Sequence, residues 1–285
     1  MSKRPFIGIG AQKAGTTALT QFLADHPEVH IPKIKEMHFF DMFGDDKALA
    51  TRLTDDIRRR YRRLELALEA GDSQAGIMAE IQSIAQRFDV GHDPAKYRAM
   101  LAECPENVRT YGEFTPAYAA MPVEKLARIP QMLDQPRVLF ILRNPTDRFL
   151  SQASHKASFL ARNQQETSTD PVAMLQRRGF TTRSQYDVTL DHLDRILPAK
   201  DVFVGFFEHM IGPEAPQFHA DVCTFLGIDT APAAQIPAGR PAQQRPVASD
   251  DRQAIVSHFA DTYRAIKARV GTLPDTWEAD LAMLG

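Results

Sequence analysis

The sequence predicts an α/β fold, a central parallel β-sheet flanked by helices and carrying a helical insertion. Three observations lead there. Short apolar runs at 5–10, 137–142 and 201–207 alternate with stretches of helical period. The run Arg137–Leu142 is continuously apolar after its first residue, as suits a strand covered on both faces. Residues 45–92 carry two amphipathic patterns with no strand signal between them.

Taken in order, residues 5–10 form the first strand, and 15–25 a helix with Ala18, Leu19, Phe22 and Leu23 on one face. His26-Pro27 ends that helix, because proline disfavours helical geometry in the residue before it. Val29-His30-Ile31 reads as a short strand, and Pro32 to Asp41 as a loop. Within 45–92, Leu49, Leu53, Ile57, Tyr61, Leu64 and Leu68 recur at helical spacing, as do Ile77, Ile81, Ile84 and Phe88 after Gly71-Asp72-Ser73. This is a helical hairpin. Its first helix carries Arg58, Arg59, Arg60, Arg62 and Arg63, either a solvated face or a patch for an anionic acceptor or lipid surface. A helix follows the 137–142 strand from about Thr146; further helices are expected at 184–196 and 249–270.

The bulk properties fit one domain over residues 1–285, with 44% hydrophobic residues. The net charge of −2 excludes a global basic field for nucleic acid. Cys104 and Cys223 are the only cysteines, too few for a disulfide framework or a zinc site, which suits a reducing compartment. No apolar leader precedes the first strand, and no run of about twenty apolar residues occurs. A cytoplasmic location is expected.

Gly10-Ala11-Gln12-Lys13-Ala14-Gly15-Thr16-Thr17 lies between the first strand and the first helix, where a phosphate-binding loop belongs. The sheet is therefore expected to be of the P-loop type. In the ATPase pattern G-x-x-x-x-G-K-[ST] a lysine follows the second glycine. Here Thr16 stands at that place and the lysine sits inside the loop as Lys13. A P-loop NTPase also holds magnesium through an acidic residue that ends a nearby strand. The strand 137–142 is followed by Arg143 instead. The site is expected to bind a nucleotide phosphate without a metal, using Lys13, Arg143 and the amides of Ala14, Gly15, Thr16 and Thr17. A second anion site follows that strand in Arg143-Asn144-Pro145-Thr146-Asp147-Arg148-Phe149-Leu150-Ser151, where an arginine fork and a hydroxyl suit a monophosphate. Arg148 is expected to form a structural ion pair with Asp147 or another carboxylate.

Both segments resemble those of the sulfotransferases that use 3′-phosphoadenosine 5′-phosphosulfate (PAPS), in particular the bacterial and carbohydrate (heparan-type) branch. That family's loop reads G-x-x-K-x-G-T-T and its second motif R-N-P-x-D-R-x-x-S; every fixed position is filled here. The resemblance covers most of the chain. It implies that Lys13 and the loop amides hold the 5′ phosphosulfate, that Arg143 and Ser151 hold the 3′ phosphate, and that 3′-phosphoadenosine 5′-phosphate (PAP) is the product.

Lys35-Glu36-Met37-His38-Phe39-Phe40 resembles the family's K-E-x-x-F-F segment, which makes Glu36 the expected general base. His38 is the rival, since the cytosolic small-molecule branch uses histidine. Lys35 is a candidate for contact with the sulfuryl group or acceptor. Gly112-Glu113-Phe114-Thr115-Pro116-Ala117-Tyr118 resembles G-E-K-T-P-x-Y, with Phe114 in place of a basic residue near the acceptor. Glu113 either orients Lys13 or a loop amide, or is a buried structural carboxylate. Tyr186 in Thr182-Arg183-Ser184-Gln185-Tyr186 corresponds to a tyrosine beside the nucleotide. Arg240 or Arg245, in a segment resembling the nucleotide-covering loop, is expected at the 3′ phosphate. Trp277 is expected to pack the last helix.

The acceptor implied is a small molecule, a glycan or a lipid-like compound, and Phe114 leans towards an apolar one. The insertion is expected to wall the acceptor pocket. A P-loop kinase or hydrolase, and a non-catalytic nucleotide-binding module, are the competing functions.

Overall fold

The computed structural model describes residues 3–34, 36–162, 170–230 and 247–285. Among them, five strands form one wholly parallel sheet in the order β2-β3-β1-β4-β5. The strands are β1 (Arg4–Gly10), β2 (Val29–His30), β3 (Thr110–Phe114), β4 (Arg137–Leu142) and β5 (Val202–Phe206). Phe6, Ile7 and Ile9 of β1 and Val138 through Leu142 of β4 have no solvent exposure. That is why β4 carries no polar alternation: helices cover both of its faces.

Two glycines let β1 and β3 close. A Cβ on Gly8 would lie inside the Phe114 ring, 1.8 Å from its nearest atom. One on Gly112 would stand 2.0 Å from the backbone oxygen of Phe6.

The helices α1 (Thr16–Ala24), α2 (Asp46–Ala70), α3 (Ala75–Val90) and α4 (Pro94–Ala102) follow in order. The expected hairpin is α2 and α3, and it meets the main body at a small cluster of Leu49, Leu53 and Ile84, against which Ile34 and Ile57 pack. Its distal end is poorly covered: Tyr61, Leu66 and Leu68 are each more than half exposed. The arginine face of α2 is largely neutralised within the hairpin. Arg58 pairs with Asp55, Arg59 with Asp56, and Arg60 and Arg63 with Glu80. An anion-binding patch there is weakened accordingly.

β3, α4 and the helix Ala215–Leu226 add to what the sequence predicted, and the helix expected at 249–270 is broken at Phe259 into Ser249–His258 and Ala260–Val270. Because all strands are parallel, the segments after β1, β2, β3, β4 and β5 emerge at one edge. The order reverses between β1 and β4, and an open α/β sheet forms its ligand crevice at such a point.

Gly112→Ala is expected to lower stability by roughly 2–3 kcal/mol, because a backbone oxygen cannot move aside. A urea titration beside Gly76→Ala, where a Cβ meets open space, would measure it.

Candidate active site

The loop after β1 turns through two left-handed residues, Lys13 (φ 71) and Gly15 (φ 73). Gly15 is also sterically required, since a Cβ there would stand 2.3 Å from Met210 and 2.8 Å from the Phe207 ring. Gly15 caps α1 without a side chain, so the first-turn amides point into the crevice as an anion site does. Ala14 is fully buried and its amide donates to Ala11 O at 3.1 Å.

Arg143 closes the other side of the loop. Its Nη1 donates to Lys13 O at 2.9 Å, and its guanidinium lies 4.9 Å from the centre of the Phe207 ring. Among the described residues this is its one hydrogen bond, which leaves most of its five donors for an anion. The following Asn144 is fully buried. Its amide donates to Glu208, its side chain donates to Asp280, and its Oδ1 accepts from the amide of Asp147. Ser151 lies on the helix Pro145–Arg162 and is 4% exposed.

Three other residues are held by internal partners. Tyr186 is buried among Phe140 and Trp277, and its hydroxyl donates to Arg143 O at 2.7 Å. It positions Arg143. Arg148 forms no ion pair with Asp147, which pairs instead with Arg252. It is fully buried and donates to Ser184 Oγ, Gln152 Oε1 and Phe180 O. Surrounded by neutral acceptors, its guanidinium is pushed down to about 10 by burial. Glu113 contacts neither Lys13 nor a loop amide. It is 1% exposed and accepts from Thr115 Oγ1 (2.7 Å), Tyr118 Oη (2.8 Å) and Tyr97 Oη (3.2 Å). Of the two readings of Glu113, the buried structural carboxylate is the one this arrangement fits.

That carboxylate supports the segment after β2. Thr115 Oγ1 accepts from the amide of His38, and Tyr118 Oη from that of Phe39. Arg87 of α3 caps the same segment by donating to Met37 O and His38 O. The backbone so held is unusual, with Glu36 (φ 58) and His38 (φ 50) both left-handed. Such conformations cost of order 1–3 kcal/mol each and collect at functional sites.

His38 Nδ1 lies 2.7 Å from Asp41 Oδ2, and Nε2 lies 3.5 Å from Glu36 Oε2. The second is an ion-pair separation without hydrogen-bond alignment. Burial alone would lower the His38 value; Asp41 and Glu36 outweigh it and raise it to about 9. Arg52 of α2 stands 3.6 Å from Glu36. A protonated imidazole beside Glu36 is a poor proton acceptor, which weighs against His38 as base.

Glu36 borders a cleft of about 200 Å³ together with Thr16 and Thr17 of the loop, Ile31, Ile34 and Phe114. Phe114 is 5% exposed and stacks edge-on against Phe6. None of the hairpin residues lines this cleft; the hairpin braces its wall through Arg52, Arg87 and the Ile34 contact. Arg183 is the residue that sequence reasoning passed over. It follows the buried Arg148 contact, reaches across the crevice, and donates to Gln12 Oε1 of the loop. Burial lowers its value, opposed by the charges of Glu36 and Asp41. Its place beside Tyr186 in the quoted segment was the available signal. Lys35, Arg240 and Arg245 lie outside the described residues.

The parallel sheet, the glycine loop opening α1 and the arginine after β4 define a P-loop-type α/β nucleotide-binding protein. The sequence profile of the sulfotransferase family matches residues 5–232, and the chain belongs to that family. No curated protein matches it. Its fold is similar to that of a sulfotransferase from Alicyclobacillus acidocaldarius, at 19% identity over 98% of this chain and 100% of that one, with a TM-score of 0.66. The sulfotransferase domain of the Synechococcus PCC 7002 olefin synthase is also similar (15% identity, 99% and 94% coverage, TM-score 0.53). So is the sulfotransferase domain of the curacin biosynthetic pathway (15%, 100% and 98%, TM-score 0.53). Among the described residues no helix is long and apolar enough to cross a membrane.

The raised His38 value has a consequence for stability. A group raised from 6.5 to about 9 on folding stabilises fully below 6.5, and that contribution is lost as pH rises through 9. The contribution is roughly 3 kcal/mol at most. Melting temperatures between pH 6 and 10 should fall more steeply for the wild type than for His38→Gln.

Proposed function

We propose that this chain transfers a sulfuryl group from PAPS to a hydroxyl or amine of an acceptor, releasing PAP. The observation that carries this reading is the shared cleft, in which the end of the phosphate loop (Thr16, Thr17) and the carboxylate of Glu36 border the same space. Family membership supports sulfuryl transfer in general.

In this reading α1's N-terminal amides and Lys13 hold the 5′ phosphosulfate, while Arg143 and Ser151 hold the 3′ phosphate. Tyr186 fixes Arg143 through its carbonyl. Glu36 takes the acceptor's proton as the acceptor oxygen bonds to sulfur. Lys13 offsets the charge left on the 5′-phosphate oxygen when its bond to sulfur breaks. Arg183, tethered to Gln12, adds positive charge on the same side. No step needs a metal ion. Charge–charge contact with His38 and Arg52 keeps Glu36 in place before the acceptor arrives.

Thermal shift tests the donor site. At one hundred times its dissociation constant, 3′,5′-ADP should stabilise the protein by about 2.7 kcal/mol. ADP and Mg-ATP should do far less; equal stabilisation by either would favour a kinase or hydrolase. Glu36→Gln should keep that shift and lose roughly 10²–10⁴ in turnover. Unchanged turnover would remove Glu36 as the base.

A further inference from the structure

We propose that the acceptor is an uncharged alcohol, aryl or short-chain alkyl, whose hydroxyl-bearing end occupies the cleft between α1 and the segment 31–36. This rests on the sulfotransferase reading of the same site and narrows its acceptor.

The position of the cleft follows from the strand order. Arg143 and Ser151 follow β4, on one side of the phosphate loop. The cleft is built from the segments after β2 and β3, on the other side. A nucleotide held between the loop and Arg143 therefore leaves this space for a second substrate. That substrate would meet the loop's end at Thr16 and Thr17 and the carboxylate of Glu36.

The chemistry of the walls selects what enters. Ile31, Pro32, Ile34, Phe114 and Pro116 supply an apolar surface, and the threonines contribute methyl groups. Phe114 forms the floor and is fixed there, since its ring fills the space that the missing Cβ of Gly8 leaves. Among the described residues the charged groups lining the cleft are Lys33 and Glu36, one of each sign. Around them, Arg52 and His38 face Glu36, while Asp41 holds His38. Arg52 is thus engaged by Glu36 and Asp56, and His38 by Asp41 and Glu36. A polyanionic acceptor needs several uncommitted donors to offset its desolvation, and among the described residues this wall offers one cationic side chain, Lys33. An acid brought here would also approach Glu36 itself. Size agrees with a narrow apolar group: an apolar cavity of about 150 Å³ accepts benzene, and this cleft measures about 200 Å³.

A matched pair of acceptors tests the inference in the full chain. p-Cresol and 4-hydroxyphenylacetate present the same ring and hydroxyl and differ by a carboxylate. With PAPS as donor and PAP release as the readout, kcat/KM for p-cresol should exceed that for 4-hydroxyphenylacetate at least tenfold. Benzyl alcohol and 1-hexanol should be used, and a uronic-acid oligosaccharide should not. Ile34→Lys, which puts a cation on the cleft wall, should reduce or invert the preference; Phe114→Lys should do the same if it folds. Equal use of the charged acceptors, an unchanged preference in Ile34→Lys, or no turnover of any uncharged alcohol by a protein that 3′,5′-ADP stabilises would each overturn the acceptor inference and leave the donor reading standing. Failure of 3′,5′-ADP to stabilise the wild type would instead overturn the donor reading, and this inference with it.

Discussion

A single buried carboxylate supports the catalytic side of the crevice. Glu113, on β3, accepts hydrogen bonds from the hydroxyls of Thr115, Tyr118 and Tyr97. An ionised carboxylate left unpaired inside a protein would cost several kcal/mol. Burial does push its value up, and the three hydroxyl contacts pull against that. The same hydroxyls then reach outward to the amides of His38 and Phe39. The strained turn that carries Glu36 is thus hung from the sheet through a polar core. Tyr97 extends the support to α4 and stacks at 4.0 Å on Phe39. Removing the carboxylate would strand three hydroxyls and loosen that turn together.

A second buried group, Arg148, does comparable work across the crevice. It spends its donors on Ser184, Gln152 and Phe180, which ties the residues before Tyr186 to the helix after β4. Two consequences meet at the loop. Tyr186 is placed to hold the carbonyl of Arg143, and Arg183 is placed to reach Gln12. This side of the crevice is therefore braced by buried groups that fix Arg143 and the glycine loop.

The insertion joins this arrangement from outside the sheet. Its root contacts Ile34, Arg52 lies beside Glu36, and Arg87 caps Met37 and His38. Its distal end keeps Tyr61, Leu66 and Leu68 exposed. The hairpin is thus a brace at one end and a largely solvated projection at the other, with most of its arginines matched to acids on its own helices.

Periodicity and spacing made much of this legible. The apolar runs of β1, β4 and β5, the two helices of the hairpin and the glycine loop before α1 are local patterns, and local patterns are what a sequence displays. β3 was not legible, because Gly112-Glu113 breaks its apolar run; the glycine is there for the Phe6 oxygen and the glutamate for three hydroxyls distant in sequence. Local residue order is enough to specify the sheet's central strands, the displaced lysine of the loop and the glycine and arginine segments that follow β1 and β4. Only the tertiary structure decided that Glu113, Arg148 and Tyr186 work as buried supports, that His38 is held protonated beside Glu36, and that Arg52 and Arg183 converge on the site. Those roles depend on burial and on partners far along the chain, and neither burial nor such partners can be read from spacing.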